Sequence, residues 1–544
     1  MIPITGHSAG TAEAAQLTPT RQDSPESDIR GVLSGVFPAA PAPAGPAKWG
    51  RSALLAAVQF AAVGLGAAVL LLRIPGHPAW DTVYAEDYFV YLPGALQHPW
   101  HLFVAWDGYI ELVPRLIAQF ATFLPLADAA KGFAISGALI GAACALFIFH
   151  ASAGHIRSVT LRVLLGAAVI LLSSAPMEIA DSGVNIIWYL LLTLFWAVLW
   201  RPQTRTGIAA AAAVGFFAAA STSLCVLFAP LLAIRLYSLR RIRDHGVTAG
   251  WVAGCLVQLQ FVIGAVLSGQ SRLMGNGGPN FGRDNRLGNS ITFYLHDVVL
   301  RWIGWHLSWR LESLTTTDWA TLIAGVALAT VLGVLIATQP GARPFIVVAL
   351  LTGLVFIMFS IYLDPWDAVF PVTPKNEVAA RYTALPVLLI EAALIIGIDH
   401  ALRRRRGPGP QRAIGQRHPV TALRPVLAAM ALAAFLAGNW AADFRYNGIR
   451  SGAAAHPWAP VAAEWKHECK AYRTGQITPS MAGHKYTIPC DRLRFLCRHR
   501  SAAGKAQPAP GARRRPGGRD RNARPARRAA QAPAGRPTRY SRPS

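Results

Sequence analysis

Along most of the chain the apolar positions neither alternate nor keep to one helical stripe. They run on without a break. Stretches such as SALLAAVQFAAVGLGAAVLLL (52–72) and WATLIAGVALATVLGVLIAT (319–338) reach the roughly 20 residues with which a helix crosses about 30 Å of hydrocarbon. Runs this long and uniform are not barrel strands, so a backbone in lipid has to close its hydrogen bonds within helices. On this pattern eleven spans fall at 52–72, 131–150, 162–176, 185–200, 207–221, 223–237, 248–268, 319–338, 345–363, 382–400 and 422–440. The fold class is therefore all-α, a polytopic transmembrane helix bundle occupying residues 48–440.

The polar segments order the rest. Residues 1–47, rich in Ala, Pro, Ser and Thr with no apolar period, read as a disordered leader, and they lack the basic start and apolar core of a secretory signal. With the N-terminus cytoplasmic, the inside loops carry Lys48 and Arg51, Arg157 and Arg162, Arg201 and Arg205, Arg235 to Arg243, Arg343, and Arg403 to Arg406. The outside loops then carry the carboxylates, which is the basic-inside bias of a multi-pass plasma-membrane protein. This orientation requires that YIELVPRLIAQFATFLPLADAA (109–130), with Pro114 and Arg115 inside it, lies on the outer surface as an amphipathic or half-embedded helix and does not cross. It leaves 441–497 as a small extracytoplasmic region, in which Cys469 and Cys490 are candidate disulfide partners and Cys497 competes.

Composition agrees: 53% of the 544 residues are hydrophobic and 15% charged, with a mean hydropathy of +0.34. The formal net charge of +25 does not mark a nucleic-acid surface, because residues 498–544 alone carry +13 of it in a low-complexity basic tail and much of the remainder lies between spans. No nucleic-acid partner is expected. No CxxC pair, HExxH, GxSxG or Walker pattern occurs, so no protein-ligated metal site, zinc-protease, hydrolase or NTPase reading follows.

Candidate chemistry concentrates in the outer loop 73–130. DTVYAEDYFVYLPGALQHPWHLFVAWDGYIELVPR (81–115) holds five carboxylates and no Lys or Arg before Arg115. Glu86 and Asp87 are adjacent, just beyond Tyr84, and Asp107 follows Trp106. A partly desolvated carboxylate can act as general base toward a hydroxyl acceptor, and aromatic faces suit sugar rings. Equally, Trp, Tyr and acidic residues belong at an outer interface without any site. Glu178, Asn185 and Trp188 lie at the outer start of the fourth span, as pocket residues or as ordinary capping and anchoring groups. Arg381 at the outer end of the tenth span suits phosphate geometry, or snorkels. Arg283 and Arg286, in the long loop 269–318, can meet a lipid phosphate or anionic headgroups.

An acidic pair soon after the first span, a surface-lying helix and then many crossings resemble the GT-C class of integral membrane glycosyltransferases. HPWHLFVAWDGYIELVPRLIA, APMEIADSGVNIIWYL and ARYTALPVLL resemble pieces of its actinobacterial-type membrane proteins. The resemblance covers the layout of residues 50–495. It implies an inverting transfer of a sugar from a polyprenyl-phosphate donor to a glycan or lipid acceptor of the cell envelope. Asp87 or Glu86 would then be the base, with Asp87 preferred because the family's loop motif is most often Asp, and Arg381 would hold the donor phosphate. No cofactor is required by these residues, and a divalent metal at the carboxylates stays open. The chain departs from the family in its Glu-Asp pair and in the small size of its outer C-terminal region. A transporter or flippase of a lipid or glycan, and a non-catalytic membrane protein, are the rival readings. The first should carry ionisable groups within its spans, and here only Glu391 does.

Overall fold

Long apolar helices make up most of the computed structural model. It describes residues 33, 35–40, 49–73, 79–84, 86–105, 108–172, 179, 182–267, 286–363, 380–406, 419–444, 455–471, 475–481 and 484–493. Among these, seven helices are long and apolar enough to cross a membrane: Ala53–Leu72, Leu126–Gly154, Ile242–Gly264, Thr317–Thr338, Arg343–Ser360, Arg381–Arg404 and Val426–Asp443. The chain is a helical bundle of the membrane-protein kind.

Four expected spans fall in apolar helices shorter than these seven. They appear as Val159–Ile170 (12 residues), Ile186–Leu199 (14 residues), Arg205–Ala219 (15 residues) and a 3-10 turn leading into Ala229–Ser238. At about 1.5 Å per residue each of the first three helices covers roughly 18–23 Å. The physical causes are visible. Ser221 and Thr222 end one run, Thr222 Oγ1 accepting from Leu224 N at 3.3 Å to start the 3-10 turn. Every residue of Ile186–Leu199 is buried, so its all-round hydrophobicity marks a bundle centre.

A second central helix, Ala384–Arg406, is enclosed along its first half, with Leu385 through Ile396 buried. At its far end Asp399 accepts from the backbone N–H groups of Arg157 and Ser158, each at 3.0 Å, and pairs with Arg403. Elsewhere Gly246, Gly250 and Gly254 line one face of Gly246–Leu267. A Cβ on Gly250 would stand 1.9 Å from the Ala212 carbonyl oxygen, so this helix and Arg205–Ala219 pack backbone to backbone, as small-residue stripes allow. Inside the stretch expected to lack order, Val36 and Phe37 are buried, Phe37 under the Arg235 guanidinium.

The loop after the first helix packs into the protein. Helix Leu112–Ala121 is ten residues long, with Pro114 in its first turn, where a missing N–H costs least, and eight of its residues are buried. Strand β1 (Thr82–Tyr84) pairs antiparallel with β2 (Ala455–Pro457), Val83 opposite His456. The region expected as a C-terminal appendage is thus tied to the strand just before the acidic pair. Its helix Trp458–Ala471 buries Trp458, whose Nε1 donates to the Leu126 carbonyl, and Cys469 is disulfide-bonded to Cys490. Short strands β3 (Gln476–Ile477) and β6 (Ile488–Pro489), and β4 (Ser480–Met481) and β5 (His484–Lys485), complete it as antiparallel pairs. Cys497 lies outside the described residues.

Candidate functional site

Three separate segments meet at the N-terminal end of the central helix Ala384–Arg406. The first is the turn that opens at Asp87 and runs to Tyr91. Asp87 is 1% exposed, and its Oδ2 accepts from Gly183 N at 2.8 Å and from Ser182 Oγ at 3.3 Å. Gly183 is required by this contact: a Cβ there would lie 2.8 Å from Asp87 Oδ1 and 2.8 Å from Phe133 Cδ1.

The second segment continues from Gly183. Asn185 Nδ2 donates to Ser182 Oγ at 3.4 Å, and Trp188 Nε1 donates to Asn185 Oδ1 at 3.1 Å. The Trp188 ring meets the Tyr382 ring edge-on at 5.1 Å, and the Arg381 guanidinium lies over that tyrosine at 5.2 Å. Asp87, Asn185, Trp188 and Arg381, drawn from three places in the sequence, therefore form one connected chain of contacts.

Two residues not singled out as a site by sequence complete it. Glu111, at the N-cap of helix Leu112–Ala121, is 3% exposed. Burial pushes its pKa up to about 8, the charges of Glu86 and Asp87 push the same way, and Arg115 and Arg381 pull against them. Four positions on, Arg115 is 8% exposed and lies 5.6 Å from the Tyr91 ring centroid. Burial pulls the pKa of its guanidinium down, while Glu111 and Tyr486 oppose that shift. Tyr486, from the C-terminal region, is pushed up by burial and held down by Arg115. Tyr88 is raised by burial and by Glu464 of the same region. The available signal was the pairing of Glu111 with Arg115 one helical turn apart.

The two members of the acidic pair differ in exposure. Asp87, preferred from the sequence, is enclosed with one oxygen committed to two donors, whereas Glu86 is only partly buried. Tyr84 sits on β1, two residues before it. Trp106, Asp107, Glu178 and Arg283 lie outside the described residues, and Arg286 opens helix Arg286–Phe293 with its side chain undescribed.

No family model matches the chain, and no curated protein matches it. The chemistry therefore rests on the residues themselves. Three carboxyl groups and two guanidiniums share this end of the bundle, one carboxyl fixed by hydrogen bonds, one partly open and one pushed toward its neutral form. Such a set can accept a proton from a hydroxyl and hold a phosphate. Among the described residues no three His, Cys, Asp or Glu side chains are grouped to hold a metal ion, and no step below is routed through one.

Proposed function

We propose that this protein is a membrane glycosyltransferase that moves a sugar from a polyprenyl-phosphate donor to a cell-envelope acceptor on the outer face, with inversion at the anomeric carbon. The observation that carries the reading is the run of contacts from Asp87 through Ser182, Asn185 and Trp188 to Tyr382 and Arg381 at one end of the central helix. A mere acidic loop has no cause to meet an arginine and a Trp–Tyr pair brought from about 100 and 300 residues away.

Glu86, the more exposed of the acidic pair, takes the proton of the acceptor hydroxyl while that oxygen bonds to the sugar C1. The C1–O bond to phosphate breaks and its electron pair leaves on the phosphate oxygen, opposite Arg381, whose guanidinium matches phosphate with paired donors. Asp87, anchored to Gly183 and Ser182, holds Glu86 in position. Asn185, Trp188 and Tyr382 form the aromatic and amide wall against which a sugar packs.

The experiment compares Glu86→Gln and Asp87→Asn with wild type, at matched membrane expression, for incorporation of radiolabelled sugar from polyprenyl-phosphate donors. A lost general base should lower transfer by about 100-fold or more, while both variants keep the wild-type elution profile. Wild-type transfer by both variants would falsify the reading. A transporter is the second reading, and one observation favours it: Glu391, in the central helix, is 4% exposed, and among the described residues no hydrogen bond or ion pair reaches it. Buried intramembrane carboxyls of that kind mark ion pathways. Substrate flux abolished by Glu391→Gln, with no sugar transfer by wild type, would put the transporter first.

A further inference from the structure

Two thiols far apart in the sequence lie within reach of each other. Cys225 Sγ stands 3.9 Å from Cys255 Sγ across a separation of 30 residues, Cys225 in the 3-10 turn Ser223–Phe228 and Cys255 in the helix Gly246–Leu267. Close packing brings them together: a Cβ on Gly254 would lie 2.6 Å from the Phe216 carbonyl oxygen, and Trp251 Nε1 donates to the Cys225 carbonyl at 3.1 Å. The same two segments hold the start of helix Leu112–Ala121. The Ala220 carbonyl accepts from Leu112 N, and Ser221 Oγ accepts from Val113 N, each at 3.1 Å. One turn beyond Cys255, the buried Gln258 accepts from Ile110 N at 3.0 Å and donates from Nε2 to the Ile110 carbonyl at 2.6 Å. Glu111 lies between these two holds.

We infer that Cys225 and Cys255 form an oxidation site for lipid-soluble hydroperoxides, which convert the two thiols to a disulfide and so fasten together the two segments that hold residues 110–113. Neither step depends on the transferase reading. Access selects the oxidant. Cys255 is the tenth of 22 residues in its helix, about 14 Å from the start at 1.5 Å per residue, which is mid-depth for a helix that crosses hydrocarbon. Cys225 is buried and Cys255 half-buried. Val252, Leu256 and Leu259 around Cys255, and Val226 beside Cys225, are exposed, so the way in runs past apolar side chains that face lipid. A small polar oxidant is disfavoured there, and an apolar one is enriched.

Cys255, the more open thiol, reacts first. Its sulfur attacks the terminal peroxide oxygen, the O–O bond breaks, and the leaving alkoxide takes the Cys255 proton to become an alcohol, which leaves Cys255 as a sulfenic acid. The Cys225 sulfur then attacks the Cys255 sulfur. The S–O bond breaks, and hydroxide departs with the Cys225 proton as water. Two thiols are thereby oxidised by two electrons in all, and one hydroperoxide is reduced to alcohol and water. Closing 3.9 Å to a bond of about 2 Å asks the sulfurs to approach by about 2 Å. The turn Ser223–Phe228 is the side that yields, because its six residues of 3-10 helix exceed the usual three or so and carry poorer hydrogen bonds.

The test treats the full chain, in nanodiscs of dimyristoyl phosphatidylcholine, with cumene hydroperoxide or hydrogen peroxide at equal concentration, then denatures it and counts thiols with N-ethylmaleimide. Cumene hydroperoxide should remove two thiols per chain, join the Cys225 and Cys255 peptides in a non-reduced digest and leave Cys144 reactive. It should act about tenfold or more faster than hydrogen peroxide, since its apolar groups partition into hydrocarbon. In Cys225→Ser the oxidised Cys255 lacks its partner and should be trapped by dimedone. Hydrogen exchange at the Leu112 and Val113 amides should be slower in oxidised than in reduced wild type. Absence of a Cys225–Cys255 link in treated wild type overturns the inference, and that outcome needs no variant, so a misfolded serine substitution does not shield it. Equal rates with the two peroxides overturn the lipid-phase route, and unchanged exchange at Leu112 and Val113 overturns the fastening of the two segments.

Discussion

Gly183→Ala isolates the contact on which the site is built. The added methyl would stand 2.8 Å from Asp87 Oδ1 and 2.8 Å from Phe133 Cδ1, distances at which something must move. Phe133 is a buried ring on the helix Ala129–Ala151 and Asp87 is enclosed, so neither yields freely. Overpacking of this kind costs about 1–3 kcal/mol. Withdrawal of the carboxylate also strains or breaks the 2.8 Å bond from Gly183 N, and a hydrogen bond to a charged group contributes about 1.5–3 kcal/mol. With partial relaxation the total is about 2–4 kcal/mol, on the same principles. Fluorescence-detected size-exclusion after a heat ramp in detergent should show a lower midpoint for Gly183→Ala, and sugar transfer should fall with it. Gly94→Ala is the control, because a Cβ there meets nothing within 4 Å and a helical glycine replaced by alanine gains about 0.5–1 kcal/mol. Equal midpoints for Gly183→Ala and wild type would refute the claim that Asp87 is clamped against Gly183.

Three further outcomes follow from the same structure. Glu111 binds its proton more tightly when folded, its pKa rising from 4.5 to about 8, so this group makes stability fall as pH rises through that window; Glu111→Gln should therefore raise the unfolding midpoint at pH 8 and leave it unchanged at pH 4. Cys469→Ser should loosen the C-terminal region, since closing a loop of 21 residues is worth about 3 kcal/mol in the chain-entropy estimate, and limited trypsin digestion should then cut within 455–493 while the bundle stays intact. Gly250→Leu should prevent folding outright, because even a Cβ would fall 1.9 Å from the Ala212 carbonyl oxygen, and the variant should be lost from the monodisperse peak.

The bundle was legible because uninterrupted apolar runs carry their own length, and the runs at 52–72 and 319–338 match helices almost residue for residue. The break at Ser221 and Thr222 also falls between two expected runs, whereas Ile186–Leu199 is 14 residues long and buried on all sides, which an apolar run alone does not distinguish from a crossing. The acidic pair was visible as a cluster, but its partners were not. Nothing local ties Asp87 to Ser182 and Gly183, 95 and 96 residues away, and a glycine in a loop gives no sign that a carboxylate needs its missing Cβ. Glu111 and Arg115 were in plain view as one helical turn, but burial, which gives them their chemistry, is a tertiary property. The pairing of β1 with β2 joins strands of three residues each, too short for any alternation to register.

The most direct test of the account is sugar transfer by the purified wild-type chain in proteoliposomes, using farnesyl-phosphoryl-glucose of known anomeric configuration and reading the product by NMR. The account predicts a glycoside of the opposite configuration, formed by wild type and absent with Glu86→Gln. A product of retained configuration, or no product from wild type that binds the donor, would contradict it.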